Sequence, residues 1–128
     1  MSIISWILKS NKETNSRSNL VALQPGGMVA ALFNYKLPHE RIMIASDLAF
    51  FDERIVWEAL LHIASDPLEE SGLREKCGES LGEIFWRNQI MDERIVNLTV
   101  EARRIFDVEY GNLIKASPDG PPNRANEE

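Results

Sequence analysis

Side chains suited to nucleophilic catalysis are scarce in this sequence. Its only histidines are His39 and His62, and its only cysteine is Cys77. A catalytic cysteine needs a base within hydrogen-bonding reach, so Cys77 and His62 could form such a pair if their helices pack together. Cys77 falls on an apolar helical stripe, however, and a buried cysteine behaves as a small hydrophobic residue. A packing role is therefore favoured, and we expect the protein not to be an enzyme.

Carboxylates could support a second kind of chemistry, the binding of cations. Glu75, Glu79 and Glu83 recur at four-residue steps, which places them on one face of a helix. That face could attract a divalent cation, but the chain has no His-x-x-x-His or Cys-x-x-Cys spacing. The segment "PGGM" at 25–28 lacks the Lys-Ser/Thr ending of a phosphate-binding loop. We therefore expect a solvated acidic face, with no metal and no cofactor.

Two tryptophans are candidates for contact with a partner, because tryptophan is enriched at interface hot spots. Trp57 lies beside a strongly apolar helical stripe, which favours a place in the core. Trp86 extends beyond the stripe formed by Leu81, Ile84 and Phe85 and is followed by Arg87. A core position is common for tryptophan in a small helical protein, but Trp86 is the better interface candidate of the two.

The net charge of −6 is distributed unevenly along the chain. Residues 1–46 carry five basic and two acidic side chains, whereas residues 47–110 carry seven basic and 15 acidic ones. An acidic body repels phosphate backbones, so direct binding of nucleic acid is not expected. The same charge would steer a basic protein partner towards this surface. The alternative is that the acidity only keeps the protein soluble.

Nothing in the sequence indicates a membrane or an oxidising compartment. No apolar run approaches the roughly 20 residues that cross a bilayer. The opening "MSIISWIL" has no basic residue before it and no cleavage motif after it, so it predicts a first helix rather than a signal peptide. Cys77 alone cannot form an intramolecular disulfide. We expect a cytoplasmic protein.

The apolar periodicity predicts an all-α protein with five or six helices and no strands. Residues 1–115 are expected to form a single helical domain, and residues 116–128 a disordered tail rich in Pro, Asn and acids. Residues 9–19 are polar and read as a loop, and "QPGG" at 24–27 is a strong helix breaker. A short helix is predicted after it, ending before Pro38. From Pro38 to Gly111 the pattern is almost continuously helical.

Helix starts are predicted from capping residues. Pro38 suits a first helical turn, and Asp52 and Asp92 are placed to cap two later helices. Asp66-Pro67-Leu68-Glu69 has the form of a capping box and predicts a helix start there, with a possible interruption near Ser71-Gly72. Gly111 is placed to end the last helix.

Two glycines interrupt the helix that carries Cys77. Gly78 and Gly82 lie four residues apart, and each mid-helix glycine costs up to about 1 kcal/mol relative to alanine. Their presence predicts that another helix approaches closely at this point. On the opposite side, Glu83 and Arg87 are spaced to form a surface ion pair.

An internal repeat points to a particular helical architecture. "DERIV" occurs at 52–56 and at 92–96, and its 40-residue offset is the length of one helix pair in HEAT and armadillo arrays. The segment 59–67 followed by 73–84 resembles a HEAT-type repeat, with an apolar helix ending at Asp66-Pro67 and a partner helix closing in Leu-Gly-x-Ile. The matching positions of that second helix are Leu73, Arg74, Cys77, Leu81, Gly82 and Ile84.

The resemblance is good over 52–88, partial over 92–110 and absent before residue 38. It implies a short HEAT-like array of antiparallel helices over 38–111 with an N-terminal helical cap, and a surface that binds another macromolecule.

The overall profile is similar to that of bacterial immunity proteins, including those of contact-dependent growth-inhibition systems. Such proteins are small, cytosolic and often acidic, and they occlude a toxin domain. By this analogy we expect a stoichiometric inhibitor of a basic toxin domain, with a nuclease as the favoured type. The alternative is a HEAT-like scaffold or adaptor for some other protein. The residues expected to face the partner are Glu69, Glu70, Glu75, Glu79, Glu83 and Trp86.

Overall fold

The computed structural model describes residues 24–121, and all regular secondary structure in this part of the chain is helical. No strand occurs in these residues, so the prediction of an all-α fold is confirmed. The elements are α1 (Pro25–Asn34), α2 (Pro38–Leu48), α3 (Arg54–Ala64), α4 (Ser71–Asn88), a 3₁₀ turn (Glu93–Asn97) and α5 (Val100–Ala116). The predicted first helix at residues 1–8, the loop at 9–19 and the end of the predicted tail lie outside the described residues.

Elements that follow one another in the chain form pairs, and the two members of each pair lie in different layers. Along α4, Ser80 contacts Ala45 of α2 and Arg87 contacts Ala49 just after it, so α2 and α4 run in the same direction. Gly78 and Gly82 of α4 lie against Ala102 and Phe106 of α5, so α4 and α5 are also parallel. One layer therefore consists of α2, α4 and α5.

The second layer consists of α1, α3 and the 3₁₀ turn. Phe33 of α1 packs against His62 of α3 with the two rings tilted, and the backbone N–H of Thr99, which follows the 3₁₀ turn, donates to the carbonyl of Ala64 at the end of α3. Each element of this layer precedes its partner of the first layer in the chain. The result is an array of three pairs, α1–α2, α3–α4 and 3₁₀ turn–α5. It agrees with the predicted repeat architecture, in which the second DERIV begins a new pair.

Helix α4 occupies the centre of the array and packs against α2, α3 and α5. Its buried side chains meet those of all three neighbours in one core. Edge-to-face ring contacts run through that core from Trp57 of α3 to Phe85 of α4 and on to Phe106 of α5, where Tyr110 stacks. The predicted core position of Trp57 agrees with this packing. No helix in the described range is long and apolar enough to cross a membrane.

The two glycines of α4 have the role predicted for them. A Cβ on Gly78 would lie 2.4 Å from the carbonyl oxygen of Ala102, and one on Gly82 would lie 3.1 Å from that of Phe106. Such distances leave no room for a side chain at Gly78, so α5 can lie this close to α4 only because the position is glycine. The intrinsic cost of glycine in a helix is offset by the packing that it permits.

Two predicted helix starts are displaced because the carboxylates expected to cap them bind other donors. Asp52 accepts hydrogen bonds from Arg87 and Asn88 instead, and α3 begins at Arg54 after Glu53, whose side chain makes no cap. The capping box at 66–69 does not form either. Asp66 closes a local turn by accepting from the N–H of Leu68, and α4 begins only at Ser71 with Glu70 as its cap.

The last helix is also placed differently from the prediction. Asp92 caps a 3₁₀ turn by accepting from the N–H of Arg94, and α5 starts at Val100 with Thr99 as its cap. Gly111 does not end α5, which continues to Ala116. The second DERIV therefore begins a shortened helix. Its Val96 is exposed, and in the first copy Ile55 is exposed while Val56 is buried.

Candidate functional site

The two glutamates that precede α4 have structural partners. Both carboxylate oxygens of Glu69 accept from the guanidinium of Arg41 at 2.8 Å, and both side chains are largely buried. Arg41 also donates to the carbonyl of Leu32, so the pair connects α1, α2 and the start of α4. Glu70 accepts from the N–H of Leu73 at 2.9 Å and caps α4. These two predicted contact residues contribute to holding the array together.

The remaining predicted glutamates lie along α4 and are half-buried. Glu79 pairs with Lys76 at 2.7 Å, and Glu83 is 3.6 Å from Arg87, which is the ion pair predicted from their spacing. Glu75 forms no ion pair with any described residue. Exposed pairs of this type add little to stability, about 0–1 kcal/mol each. The three carboxylates therefore remain accessible to another binding partner.

A fourth carboxylate, from α5, joins them across the helix interface. Glu109 packs its stem over Gly82, where a Cβ added to the glycine would be 3.2 Å from the Cβ of Glu109. Burial raises the pKa of Glu109, and repulsion from Glu79 and Glu83 raises it further, while Lys76 acts in the opposite direction. Glu75, Glu79, Glu83 and Glu109 are called the acidic ridge below. Like charges are crowded there, and a cation from a partner would relieve that repulsion.

Glu109 was not found from the sequence. Gly82 indicated that a helix would cross at this point, but the residue that faces it depends on how α5 is shifted along α4. The sequence contains no direct signal for that shift.

Trp86 contributes little surface for a partner. Its relative exposure is only 9%, although it lies next to the exposed end of α4. A hot-spot tryptophan anchors a complex by inserting its ring into the other protein, and this ring is already covered by its own chain.

The two DERIV copies meet at Trp57 and Glu58. The guanidinium carbons of Arg54 and Arg94, the third residues of the two copies, lie 5.5 and 5.8 Å from the ring centre of Trp57. Both arginines also donate to Glu58, and hydrogen bonds from Arg94 and then Arg54 lower its pKa. Arg94 is held in addition by Asp92, whose pKa its hydrogen bonds lower to about 2. The repeat thus brings two equivalent arginines to one carboxylate and one ring.

A cleft of about 490 Å³ opens beside this cluster. Its lining residues are Glu58, Leu61, His62, Ser65, Asp66, Pro67, Arg94 and Asn97. The charge of Arg94 is already balanced by two carboxylates, so the cleft is not a receptor for anions. It is suited to a small polar or basic side chain.

The structure gives no support to a cysteine nucleophile or a metal centre. Cys77 is fully buried and burial raises its pKa, so the reactive thiolate is disfavoured. His62 is exposed and contacts Phe33 of α1, so it belongs to the layer opposite to the one that contains Cys77. Within residues 24–121, no group of three or more His, Cys, Asp or Glu side chains is placed to hold a metal ion.

The fold and these surfaces define a small two-layered helical array with an acidic ridge across two of its helices. Comparisons with protein-family models, with curated proteins and with solved structures gave no match. The likeness to HEAT repeats and to immunity proteins therefore remains a resemblance.

Proposed function

We propose that this protein binds a basic protein partner through the acidic ridge and acts stoichiometrically rather than as a catalyst. The observation that carries the proposal is the convergence of Glu79 and Glu83 of α4 with Glu109 of α5, whose stem lies over Gly82. Burial raises the pKa of Glu109, and repulsion from the other two carboxylates raises it further. Repulsion among like charges is a cost in the free protein. A partner's lysine or arginine placed among them turns this cost into a favourable interaction.

The concrete form of the proposal is an immunity protein that neutralises a bacterial toxin domain by covering it. Toxins that act on nucleic acids need basic surfaces to hold phosphates, and such a surface is complementary to the ridge. Inhibition by occlusion needs no reacting groups in the inhibitor. Binding should be fast, because exposed charges steer the encounter between the two proteins. It should also be sensitive to salt, because interactions between exposed charges are screened beyond about 8 Å at physiological ionic strength.

The first test asks whether the chain protects cells from a toxin encoded by the adjacent reading frame. The toxin domain is expressed in a bacterial host with and without this protein, and growth is followed. Protection together with a one-to-one complex in titration calorimetry is the expected result. A complex with a non-toxic protein and no protection would reject the immunity role and leave the alternative of an adaptor.

The second test examines the ridge itself with a matched control. The ridge variant is E75Q/E79Q/E83Q/E109Q, and the control E40Q/E53Q/E93Q/D119N removes the same number of charges elsewhere. The ridge variant should lose affinity and much of the salt dependence, whereas the control should retain tight binding. Equal loss in both variants would mean that only net charge matters, and the ridge would then be rejected as the site.

A further inference from the structure

The last helix of the array has a second face that nothing in the described chain covers. Helix α5 turns Ala102 and Phe106 towards α4 and presents the opposite side to solvent. Val100 is 82% exposed and Val108 is 53% exposed on that side, where a shallow cavity of about 530 Å³ lies. In a helical array this is the position at which the next pair would stack, and terminal repeats are normally polar there.

The exposed face has the spacing of a helix–helix seam. Its central positions are Val100, Arg104, Asp107, Gly111 and Ile114, at alternating steps of four and three residues. This alternation is the pattern by which one helix packs along another. The contact between α4 and α5 likewise has small residues, Gly78 and Gly82, on the facing side of one helix.

Gly111 is the most informative residue of the seam. It lies within α5, and apart from its chain neighbours and the backbone of its own helix no described atom comes within 4 Å of the place where its Cβ would be. A helical glycine costs up to about 1 kcal/mol relative to alanine, and at Gly78 a close helix explains that cost. At Gly111 no other helix within residues 24–121 lies this close. The position is a notch with room for a side chain from outside.

The charges of the seam are complementary to those of a second copy. Arg104 is exposed and forms no ion pair with any described residue, and Asp107 is 57% exposed beside Arg103. If two α5 helices lie antiparallel about a two-fold axis, Arg104 of each faces Asp107 of the other. The same register places Val100 of each copy opposite Gly111 of the other. A two-fold contact requires this kind of self-matching, because each pair occurs twice.

We propose that the protein forms a homodimer through the outer face of α5, with Arg104–Asp107 pairs at its centre and Val100 seated in the notch at Gly111. The acidic ridge lies on the α4 side of α5 and remains open in this dimer. The proposal is therefore independent of the proposed function, and each can fail without the other.

The test is the dependence of molar mass on concentration, measured by sedimentation equilibrium from roughly 1 to 100 µM, where weak dimers dissociate. Salt is held near 0.15 M so that repulsion between the two acidic chains is screened beyond about 8 Å. The full chain should change from monomer to dimer over this range. A monomer at every concentration would overturn the proposal.

Charge-reversal variants identify the face and the register. R104D places like charges opposite one another twice, as does D107R, so each variant alone should remain monomeric. An equal mixture of the two should form a dimer again, because the acidic groups of one then face the basic groups of the other. K36D makes the same charge change on the α1–α2 link and should leave the dimer intact. Dimerisation by R104D alone, or no dimer in the mixture, would refute this interface.

Discussion

Three of the helical glycines, Gly78, Gly82 and Gly111, provide the sharpest test of the packing, because alanine should act differently at each. At Gly78 the added Cβ would lie 2.4 Å from the carbonyl oxygen of Ala102 and 3.2 Å from its Cα. Both are backbone atoms and cannot rotate away, so α5 must shift. Overpacking of this kind costs about 1–3 kcal/mol, while the better helix propensity of alanine returns up to about 1 kcal/mol. We expect G78A to be destabilised by about 1–2 kcal/mol.

Gly82 and Gly111 serve as graded controls for this prediction. At Gly82 the nearest atoms are the carbonyl oxygen of Phe106 at 3.1 Å and the flexible stem of Glu109, so G82A should be close to neutral. At Gly111 no described atom outside its chain neighbours and its own helix backbone is within 4 Å of the added Cβ, so G111A should stabilise the monomer by up to about 1 kcal/mol. For a domain of this size that amount raises the melting temperature by roughly 4–8 °C.

The assay is urea unfolding followed by circular dichroism, at a protein concentration low enough to keep the chain monomeric. The slope of the transition should be unchanged among the variants, so that the midpoints report stability alone. The reasoning is refuted if G78A is as stable as the wild type. It is also refuted if G78A and G111A shift the midpoint in the same direction.

Three further predictions follow from single groups. Arg87 donates to Asp52 and to the carbonyls of Ala49 and Phe51, so R87M should cost about 1.5–3 kcal/mol in urea unfolding, with R103M as a surface control. The buried hydroxyl of Ser80 donates to the carbonyl of Ala45 at 2.8 Å, so S80A should cost about 1 kcal/mol in urea unfolding, and no loss would show that this hydrogen bond makes no net contribution to stability. Burial and nearby carboxylates raise the pKa of Glu109, so the folded state retains this proton to higher pH than the unfolded state. As pH rises above the ordinary value of 4.5, ionisation of Glu109 therefore lowers the free energy of unfolding. E109Q should therefore be more stable than the wild type at neutral pH and equal to it well below pH 4.5, and a difference that does not vary with pH would contradict this cause.

Features of the fold that depend on local chemistry could be predicted from the sequence. Glycine within a helix lowers stability relative to alanine, so its presence predicts that another helix packs closely there. On that ground alone Gly78 and Gly82 were correctly predicted to face a close helix. Pro38 begins α2 as expected from its missing N–H. The 40-residue offset of DERIV also anticipated that a new pair begins near residue 92.

Carboxylate roles were harder to predict, because distant cations compete for them. Asp52 is a good cap by residue type, but Arg87 lies 35 positions further along the chain and engages it more strongly. In the same way, Glu69 forms an ion pair with Arg41, so it does not complete the capping box and is largely buried. Glu109 could not be assigned to the acidic ridge because its neighbours are fixed by the placement of α5 on α4. Periodicity within either helix alone does not determine that placement.

The attachment of α5 has a consequence for local opening of the protein. Its first turn is tied to the rest of the array by the Thr99–Ala64 backbone bond and by the pair between Arg74 and Glu101. Beyond that turn, its main neighbour among the described elements is α4. The first turn of α5 is thus attached at several points, whereas within residues 24–121 its C-terminal half is held mainly by its contact with α4. Separation of that half from α4 should therefore cost less free energy than global unfolding. Amide hydrogen exchange should then be fastest near the end of α5 and slowest in α4, and any partner bound across the acidic ridge would bridge both helices and close that opening.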